Sequence, residues 1–432
     1  MFEVKEKPKM VERAFLVGIQ TPEMNAREGE ELLAELAELV RSLEIGVVGS
    51  LLVNLREPKA RFLVGGGKTE EILAAVKEHE ADAIVFDEEL TPAQQRNWEK
   101  ESNLCVIDRQ EVIIDIFGQR AQTKEATLQV DLARMEYSLP RLKRAWTHLS
   151  RQRGGGGTVV RGQGETQLEA DRRLVQTRIA KLKRELAEVR QHREIQRKQR
   201  LRRPVPTAAL VGYTNAGKSS LLNALTGAEV LVEDKLFATL DPTTRQCHLP
   251  DGQKVLLTDT VGFVRRLPHK LVDAFRATLE EALLADVLVH VVDLSSPDAE
   301  EHRQTTLNVL EELGADESKL ITVYNKIDAV QNIDELERLR FLHREALFVS
   351  AHTKEGLPQL GEKIGQIIAG ESLSVAVLIP YNKYDLVGKL HDLDAVTEQR
   401  NEDDGVYLEC LIPPKFEPLV HDYLIEPVAG QR

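Results

Sequence analysis

Residues 212–219 read Gly212-Tyr213-Thr214-Asn215-Ala216-Gly217-Lys218-Ser219. This stretch fits the pattern G-x-x-x-x-G-K-[ST], in which the backbone N–H groups of a glycine-rich loop surround phosphate oxygens. The flanks agree, because the apolar run at 207–211 predicts a strand and 220–225 predicts the start of a helix. The positive end of that helix would face the anion. The sequence therefore predicts a phosphate-binding P-loop.

Two residues of this loop carry side-chain chemistry. Lys218 is expected to reach the β- and γ-phosphates of a nucleotide, and the hydroxyl of Ser219 to ligate Mg²⁺. A second motif follows an apolar run at 255–258 and reads Asp259-Thr260-Val261-Gly262. There Asp259 would hold the Mg²⁺ shell through water, and the N–H of Gly262 would face the γ-phosphate.

A third motif selects the base, and it reads Asn325-Lys326-Ile327-Asp328. The carboxylate of Asp328 can accept hydrogen bonds from N1–H and the exocyclic amine of guanine. Adenine lacks this donor pair and would leave the carboxylate unpaired, at a cost on the order of several kcal/mol. A backbone N–H near guanine O6 is expected from Ser350-Ala351-His352. The three motifs in order predict a GTPase that binds GTP and GDP.

The segment between the first two motifs is expected to supply a second side-chain ligand to Mg²⁺. It reads Phe237-Ala238-Thr239-Leu240-Asp241, and Thr239 is favoured over Thr243 and Thr244. We expect Lys218, Thr239 and Gly262 to support the transition state.

No catalytic base can be named from the sequence. Phe263 follows Gly262, at the step where Ras-type GTPases place a glutamine that orients the attacking water. Phenylalanine cannot orient water by hydrogen bonding. Arg265 and Arg266 could supply a charge, but surface salt bridges are the preferred interpretation for both, and Asp87, Glu88 and Glu89 are expected at a solvated strand end.

Charge is unevenly spread along the 432 residues. The net charge is −13, yet the segment 141–203 holds 19 Lys and Arg against 6 Asp and Glu, which predicts contact with a polyanion such as structured RNA. A heptad seam predicts a helix that pairs with one at 124–149; its members are Leu168, Val175, Ile179, Leu182, Leu186 and Val189. Between the two helices we expect a basic, glycine-rich loop that contains Arg151, Arg153 and Arg161-Gly162-Gln163-Gly164, and a plain flexible linker is the alternative.

The predicted fold class is α/β, with four parts. We expect an N-terminal α/β domain at 1–121, a helical hairpin at 122–204, a G domain with a mixed, mostly parallel sheet at 205–371, and a small α+β domain at 372–432. Three widely separated cysteines, no apolar leader and no uncharged apolar run of about 20 residues predict a soluble cytoplasmic protein without a membrane span.

The motifs resemble those of the TRAFAC GTPases. The loop residues Tyr213-Thr214-Asn215-Ala216 and the segment 237–242 are similar to the Obg–HflX group. Two further stretches resemble the HflX family specifically: Asp115-Ile116-Phe117 and Arg161-Gly162-Gln163-Gly164-Glu165-Thr166-Gln167-Leu168-Glu169. An apolar residue after the second motif is shared with this family, whereas His352 stands where many GTPases have lysine.

The resemblance implies an N-terminal HflX domain, a helical linker, a G domain and a short C-terminal domain. It also implies binding to the large (50S) ribosomal subunit and its rRNA, and splitting or recycling of stalled ribosomes under stress. Two alternatives stay open, a ribosome-assembly GTPase and a nucleotide-gated RNA-binding switch. We expect a monomer that does not bind DNA.

Overall fold

The computed structural model describes residues 11–24, 26–142, 161–200, 205–227, 236–237, 239–266, 282–330, 333–370, 373–392, 395–412 and 417–427. The chain forms two compact units. The first unit runs to Glu188 and includes two later segments, Asp234–Leu240 and Arg265–Phe275; the second unit contains the remainder.

The first unit is built on a parallel sheet of four strands in the order β2-β1-β3-β4. Its strands are β1 (Arg13–Gln20), β2 (Gly46–Asn54), β3 (Ala83–Phe86) and β4 (Cys105–Asp108). Its helices are α1 (Ala26–Ser42), α2 (Gly66–Glu78), α3 (Pro92–Ser102), α4 (Arg109–Arg120) and α5 (Lys124–Ser138), followed by a 3-10 turn at Leu139–Arg141. Strand and helix alternate up to Arg120, as an α/β domain requires.

Local sequence explains where two of these helices begin. Thr91 accepts a hydrogen bond from the backbone N–H of Gln94 at 3.2 Å, and the Gln94 side chain accepts from the N–H of Thr91 at 2.9 Å. This reciprocal capping box satisfies two donors at the start of α3. Helix α4 is capped at its start by Asp108, whose carboxylate accepts from the N–H of Glu111 at 3.0 Å.

The basic segment forms one long helix, α6 (Arg161–Arg200). Leu182 and Leu186 of the predicted seam are buried, and Lys183 pairs with Glu136 of α5 at 2.8 Å. The helix begins at Arg161, so the prediction of a loop at 161–164 is wrong. Two glycines cost only about 1 kcal/mol each relative to alanine, which a long helix can absorb. Residues 143–160, with Arg151 and Arg153, lie outside the described residues.

The second unit contains a six-stranded sheet in the order β10-β9-β8-β5-β7-β6, parallel except for the antiparallel pair β6–β7. Its strands are β5 (Thr207–Gly212), β6 (Thr243–His248), β7 (Lys254–Asp259), β8 (Val287–Asp293), β9 (Leu320–Asn325) and β10 (Leu347–Phe348). Its helices are α7 (Lys218–Thr226), α8 (Ala299–Glu312), α9 (Ile333–Leu342) and α10 (Leu357–Gly370). The predicted fold class is confirmed.

The same unit carries a small antiparallel sheet in the order β12-β13-β11-β14. Its elements are β11 (Leu373–Ile379), α11 (Tyr384–Asp392), β12 (Val396–Glu402), β13 (Gly405–Ile412), α12 (Glu417–Val420) and β14 (Leu424–Pro427). Among the described helices, none is long and apolar enough to cross a membrane.

Candidate guanine-nucleotide site

The P-loop connects the carboxyl end of the central strand β5 to the first turn of α7. Gly217 has φ of +87°, a left-handed conformation that glycine adopts without strain. A Cβ at this position would lie 2.3 Å from Nδ2 of Asn325. The glycine is therefore needed both for the backbone turn and for close approach to the third motif.

Lys218 lies at the start of α7 and is buried. Its ammonium group donates hydrogen bonds to the backbone carbonyls of Gly212 at 3.1 Å and Tyr213 at 2.7 Å. Burial lowers the pKa of Lys218 to about 8, and nearby Asp259 opposes this shift. The lysine is thus a desolvated cation inside the loop that is predicted to hold phosphates.

The first two motifs meet through their oxygen-bearing side chains. The hydroxyl of Ser219 donates to Oδ2 of Asp259 at 2.6 Å, and Asp259 is fully buried at the end of β7. A hydroxyl and a carboxylate converging at the mouth of the loop match the oxygen ligands that Mg²⁺ prefers. The residues present therefore fit the metal that the sequence motifs imply. Next to Asp259, Thr260 donates its hydroxyl to the carbonyl of Leu210 at 2.7 Å, which ties β7 to β5.

Gly262 packs directly against the P-loop. A Cβ there would lie 2.7 Å from Cα of Thr214 and 2.9 Å from Nζ of Lys218. Two backbone hydrogen bonds fix this approach, since the N–H of Thr214 donates to Phe263 at 2.8 Å and the N–H of Phe263 donates to Gly212 at 3.1 Å. Phe263 itself is only 2% exposed.

The third motif is bound to the P-loop by Asn325. Its Nδ2 donates to the carbonyl of Ala216 at 3.0 Å, and its Oδ1 accepts from the N–H of Ala351 at 3.1 Å. One side chain therefore connects the phosphate loop to the segment 350–352. Ser350 is buried, and its hydroxyl accepts from the N–H of Thr353 at 2.9 Å.

The two residues predicted to flank the base lie close together. Oδ2 of Asp328 is 3.6 Å from Nδ1 of His352, whose side chain is largely exposed. Lys326 has φ of +64° and pairs with Asp293 at the end of β8 across 2.7 Å. Ile327 is buried between these polar neighbours. The carboxylate of Asp328 remains partly accessible, as a residue that contacts a bound base must be.

The segment predicted to supply a second side-chain ligand to Mg²⁺ falls in the first unit up to Leu240. Phe237 has φ of +56° and packs edge-on against Phe117 of α4, with ring centroids 4.6 Å apart. Thr239 is half-buried, and Ala238 lies outside the described residues. Asp241 is half-buried in the second unit. The role of Thr239 in metal binding stays a prediction.

The first unit also holds both arginines that follow the second motif. Arg265 is 9% exposed and pairs with Glu31 of α1 at 3.0 Å, so its predicted salt bridge exists but is not at the surface. Arg266 pairs with Asp87 at 3.5 Å and forms a shorter ion pair with Glu88.

The prediction of a solvated strand end at Asp87 is wrong. Asp87 is 3% exposed, and Arg109, which is buried at the start of α4, donates to it at 2.7 Å. Arg109 also pairs closely with Glu35 and donates to the carbonyl of Arg265 at 3.2 Å. The guanidinium groups of Arg109 and Arg266 cover the carboxylate of Asp87. Both arginines are distant from Asp87 in the sequence, so the local run of acidic residues does not indicate this burial.

Comparison with known families agrees with this geometry. Residues 207–326 match the family described as 50S ribosome-binding GTPase. Residues 30–118 match the GTP-binding GTPase N-terminal family, and residues 120–200 match the GTP-binding GTPase middle region.

Full-length relatives are similar over almost the whole chain. The GTPase HflX of Akkermansia muciniphila is 48% identical, over 99% of this chain and 100% of its own length. The GTPase HflX of Escherichia coli strain K12 is 41% identical, over 91% of this chain and 94% of its own length. Among solved structures, the complex of SsGBP with GDP is 28% identical and covers 83% of this chain and 98% of that one, with a TM-score of 0.48. On the extent of the sequence matches, this chain belongs to the HflX family of GTPases, and it binds and hydrolyses GTP.

Proposed function

We propose that this chain, in its GTP-bound form, binds the large (50S) ribosomal subunit through rRNA and splits or recycles stalled ribosomes under stress. The observation that carries the proposal is a guanine-nucleotide site on the same chain as a 40-residue basic helix. The description of the family matched by residues 207–326 supports the same partner.

The nucleotide would be held by the residues that converge on the P-loop. Lys218 would exchange its two backbone carbonyl partners for phosphate oxygens, with little cost because it is already desolvated. Mg²⁺, when bound, would neutralise charge on the β- and γ-phosphates, and Ser219, Thr239 and, through water, Asp259 would hold it. Asn325 would keep the phosphate loop and the base-binding segment in register.

The ribosome would be contacted through phosphate groups. Within the described part of α6, Arg172, Arg173, Arg178 and Lys181 are all exposed, and the helix holds 12 Lys and Arg against 6 Asp and Glu. Such a row of cations binds a polyanion with an affinity that falls as salt rises, because each neutralised phosphate releases a counterion.

Sedimentation of intact ribosomes with the protein and a non-hydrolysable GTP analogue tests the proposal. Separation into subunits, with the protein on the large one, is expected. Binding only to immature particles would instead indicate an assembly GTPase, and binding to isolated RNA without a preference for subunits would indicate a nucleotide-gated RNA switch. Either of these two results would overturn the proposal.

A triple variant tests whether the basic segment is the surface that binds the large subunit. Replacing Arg151, Arg153 and Arg161 together with alanine should weaken subunit binding and leave GTP affinity unchanged. The salt dependence of subunit binding should fall by about one unit of slope for each phosphate that is no longer neutralised. The matched control replaces three exposed cations of the second unit: Arg338, Lys354 and Lys363. Equal subunit affinity and salt slope for the triple variant and wild type would mean that the segment is only a linker.

A further inference from the structure

The small C-terminal sheet has the chain order of a βαββαβ fold. Its four strands follow one another as β11, β12, β13 and β14, with α11 after the first and α12 after the third, and they lie in the order β12-β13-β11-β14. This arrangement, with the first and third strands in the centre, is the ferredoxin-like one. RNA-recognition domains use a four-stranded sheet whose open face stacks bases on aromatic side chains.

One face of this sheet is covered by the two helices. Alternate side chains of the two central strands form a core with α11 and α12; the core residues are Val375, Val377, Ile379, Leu386, Val387, Leu390, Val406, Leu408, Cys410, Ile412 and Val420. The intervening positions of the two central strands point to the other side, as the period of two requires. We call that side the open face. Its positions on β11 and β13 are Ser374, Ala376, Leu378, Tyr407, Glu409 and Leu411.

The open face carries apolar side chains that are not fully covered. Leu411, next to Ser374 across the strands, is 41% exposed. Tyr407 is half-buried and lies opposite Leu378, which is also half-buried. Leu411 is separated from this pair along the strands by Glu409 and Ala376, so the face has two apolar contact points with an acidic position between them.

The open face carries negative charge, whereas a sheet that binds RNA needs positive charge. Glu398 of β12 lies directly opposite Glu409 of β13, and both are exposed. Arg400 is paired with Glu398 at 2.5 Å and reaches over the ring of Tyr407, whose hydroxyl donates to Glu409 at 3.1 Å. Arg400 and Glu398 therefore balance each other, and Glu409 leaves these three residues with a net charge of −1.

The whole C-terminal part is acidic. From Leu373 to Pro427 the sequence contains 4 Lys and Arg and 11 Asp and Glu, a net charge of −7. The helix α6, by contrast, carries a net charge of +6 from its 12 basic and 6 acidic residues. Phosphate dominates nucleic-acid affinity, so an acidic sheet would repel RNA, whereas it would attract a partner of positive charge.

We propose that the open face binds a basic segment of a protein, with an apolar side chain seated on Leu411 and arginine or lysine side chains on Glu398 and Glu409. The inference rests on the proposed function in one respect, because it takes the partner to be a protein of the large ribosomal subunit. In this arrangement α6 contacts the phosphate groups of the large subunit, and the open face contacts one of its proteins.

Reversing the charge of the open face distinguishes a protein partner from RNA, because affinity should fall for a basic protein and rise for RNA. The full chain carrying Glu398→Lys and Glu409→Lys is compared with wild type for binding to purified large subunits, with a non-hydrolysable GTP analogue and at low salt. We expect affinity to fall about tenfold, and the difference to shrink as salt is raised, because exposed charges are screened. The control carries Asp385→Lys and Glu417→Lys, two exposed positions on the helices of the same domain, and should bind like wild type.

Tighter binding of the reversed variant, to large subunits or to rRNA extracted from them, would overturn the proposal in favour of an RNA contact. Equal binding of wild type and variant would overturn it outright. Failure of wild type to bind large subunits at all would instead contradict the proposed function, so the two failures are distinct.

Two further variants test whether a loss of binding comes from misfolding. Glu398→Gln with Glu409→Gln removes the charges without adding lysines, and Leu411→Ser removes only the exposed apolar side chain. Both should weaken subunit binding with unchanged thermal melting of the chain. Unchanged binding by both, in folded protein, would also contradict the proposal.

Discussion

The backbone N–H of Thr214 donates to the carbonyl of Phe263 at 2.8 Å, which anchors the residue after the D-x-x-G motif to the P-loop. Tyr213 and Phe263 form a parallel β-bridge at the same place. Phe263 is buried, so the position that carries a catalytic glutamine in Ras-type GTPases serves here to pack the loop. Phenylalanine cannot orient water by hydrogen bonding, and we expect the water-positioning group for hydrolysis to come from another position.

Replacing Lys218 with alanine should abolish tight GTP binding. The change removes the buried ammonium that now bonds to the carbonyls of Gly212 and Tyr213 and that we expect to contact the β- and γ-phosphates. Calorimetric titration with a non-hydrolysable analogue measures the decrease in affinity, which we expect to exceed a hundredfold, or about 3 kcal/mol. Lys363→Ala, an exposed site in the same unit, is the control. Near-unchanged affinity of the Lys218 variant would refute the P-loop assignment.

Nucleotide binding should take up protons near pH 8. Because burial lowers the pKa of Lys218 to about 8, roughly half of the free protein carries a neutral lysine at that pH, while phosphate requires the ammonium form. Affinity should be full well below pH 8 and fall as pH rises above it. Titrations at pH 8 in two buffers of different ionisation enthalpy should give an uptake of about half a proton per site. Identical heats in both buffers would show that the lysine is already charged.

Asp328→Asn should move the base preference from guanine toward xanthine. The carboxylate that accepts from the exocyclic amine of guanine becomes an amide, which can donate to the 2-oxo group of xanthine. Competition between GTP and XTP measures the change, and Glu345→Gln, at an exposed site in the same unit, should leave the preference unaltered. A variant that still prefers GTP as strongly as wild type would disprove the role given to Asp328.

Arg109→Ala should destabilise the first unit by about 3–5 kcal/mol, since it leaves the buried carboxylate of Asp87 and the half-buried carboxylate of Glu35 without their main cation. Lys68→Ala breaks an ion pair whose side chains are about half exposed, and should cost at most about 1 kcal/mol. Urea unfolding followed by the fluorescence of buried Trp98, in a Trp146→Phe background, compares the two. Equal midpoints would mean that the buried ion pairs contribute no more than a surface pair.

The parts of the site that could be predicted from sequence are those encoded over a few neighbouring residues. The P-loop, the motif at Asp259 and the motif at Asn325 each follow an apolar run, and the ends of parallel strands meet at one edge of a sheet. Their bonds to one another, such as Asn325 to Ala216, follow from that topology.

Features that depend on residues far apart in the chain, or on strands without apolar alternation, could not be predicted from the sequence. Arg109 joins Asp87 to the carbonyl of Arg265, residues far apart in the chain, and no periodicity marks such pairs. Strand β12 leaves no clear pattern because its residues after Val396 are polar and exposed, so the alternation that indicates a half-buried strand is absent. The glycines after Arg161 suggest a loop, whereas a long helix overrides local propensity and begins there.

Single-turnover GTP hydrolysis with and without purified large subunits shows whether the free chain has a water-positioning group of its own. Because Phe263 cannot orient water, hydrolysis by the free protein should be slow, and large subunits should speed it by roughly 10³–10⁵, the range that a missing transition-state group supplies in related GTPases. Phe263→Gln should be run alongside, with GTP binding measured to check that the buried packing survives. If the free wild-type protein already hydrolyses GTP at the rate seen with large subunits, a catalytic group is present in the chain itself and the claim is wrong.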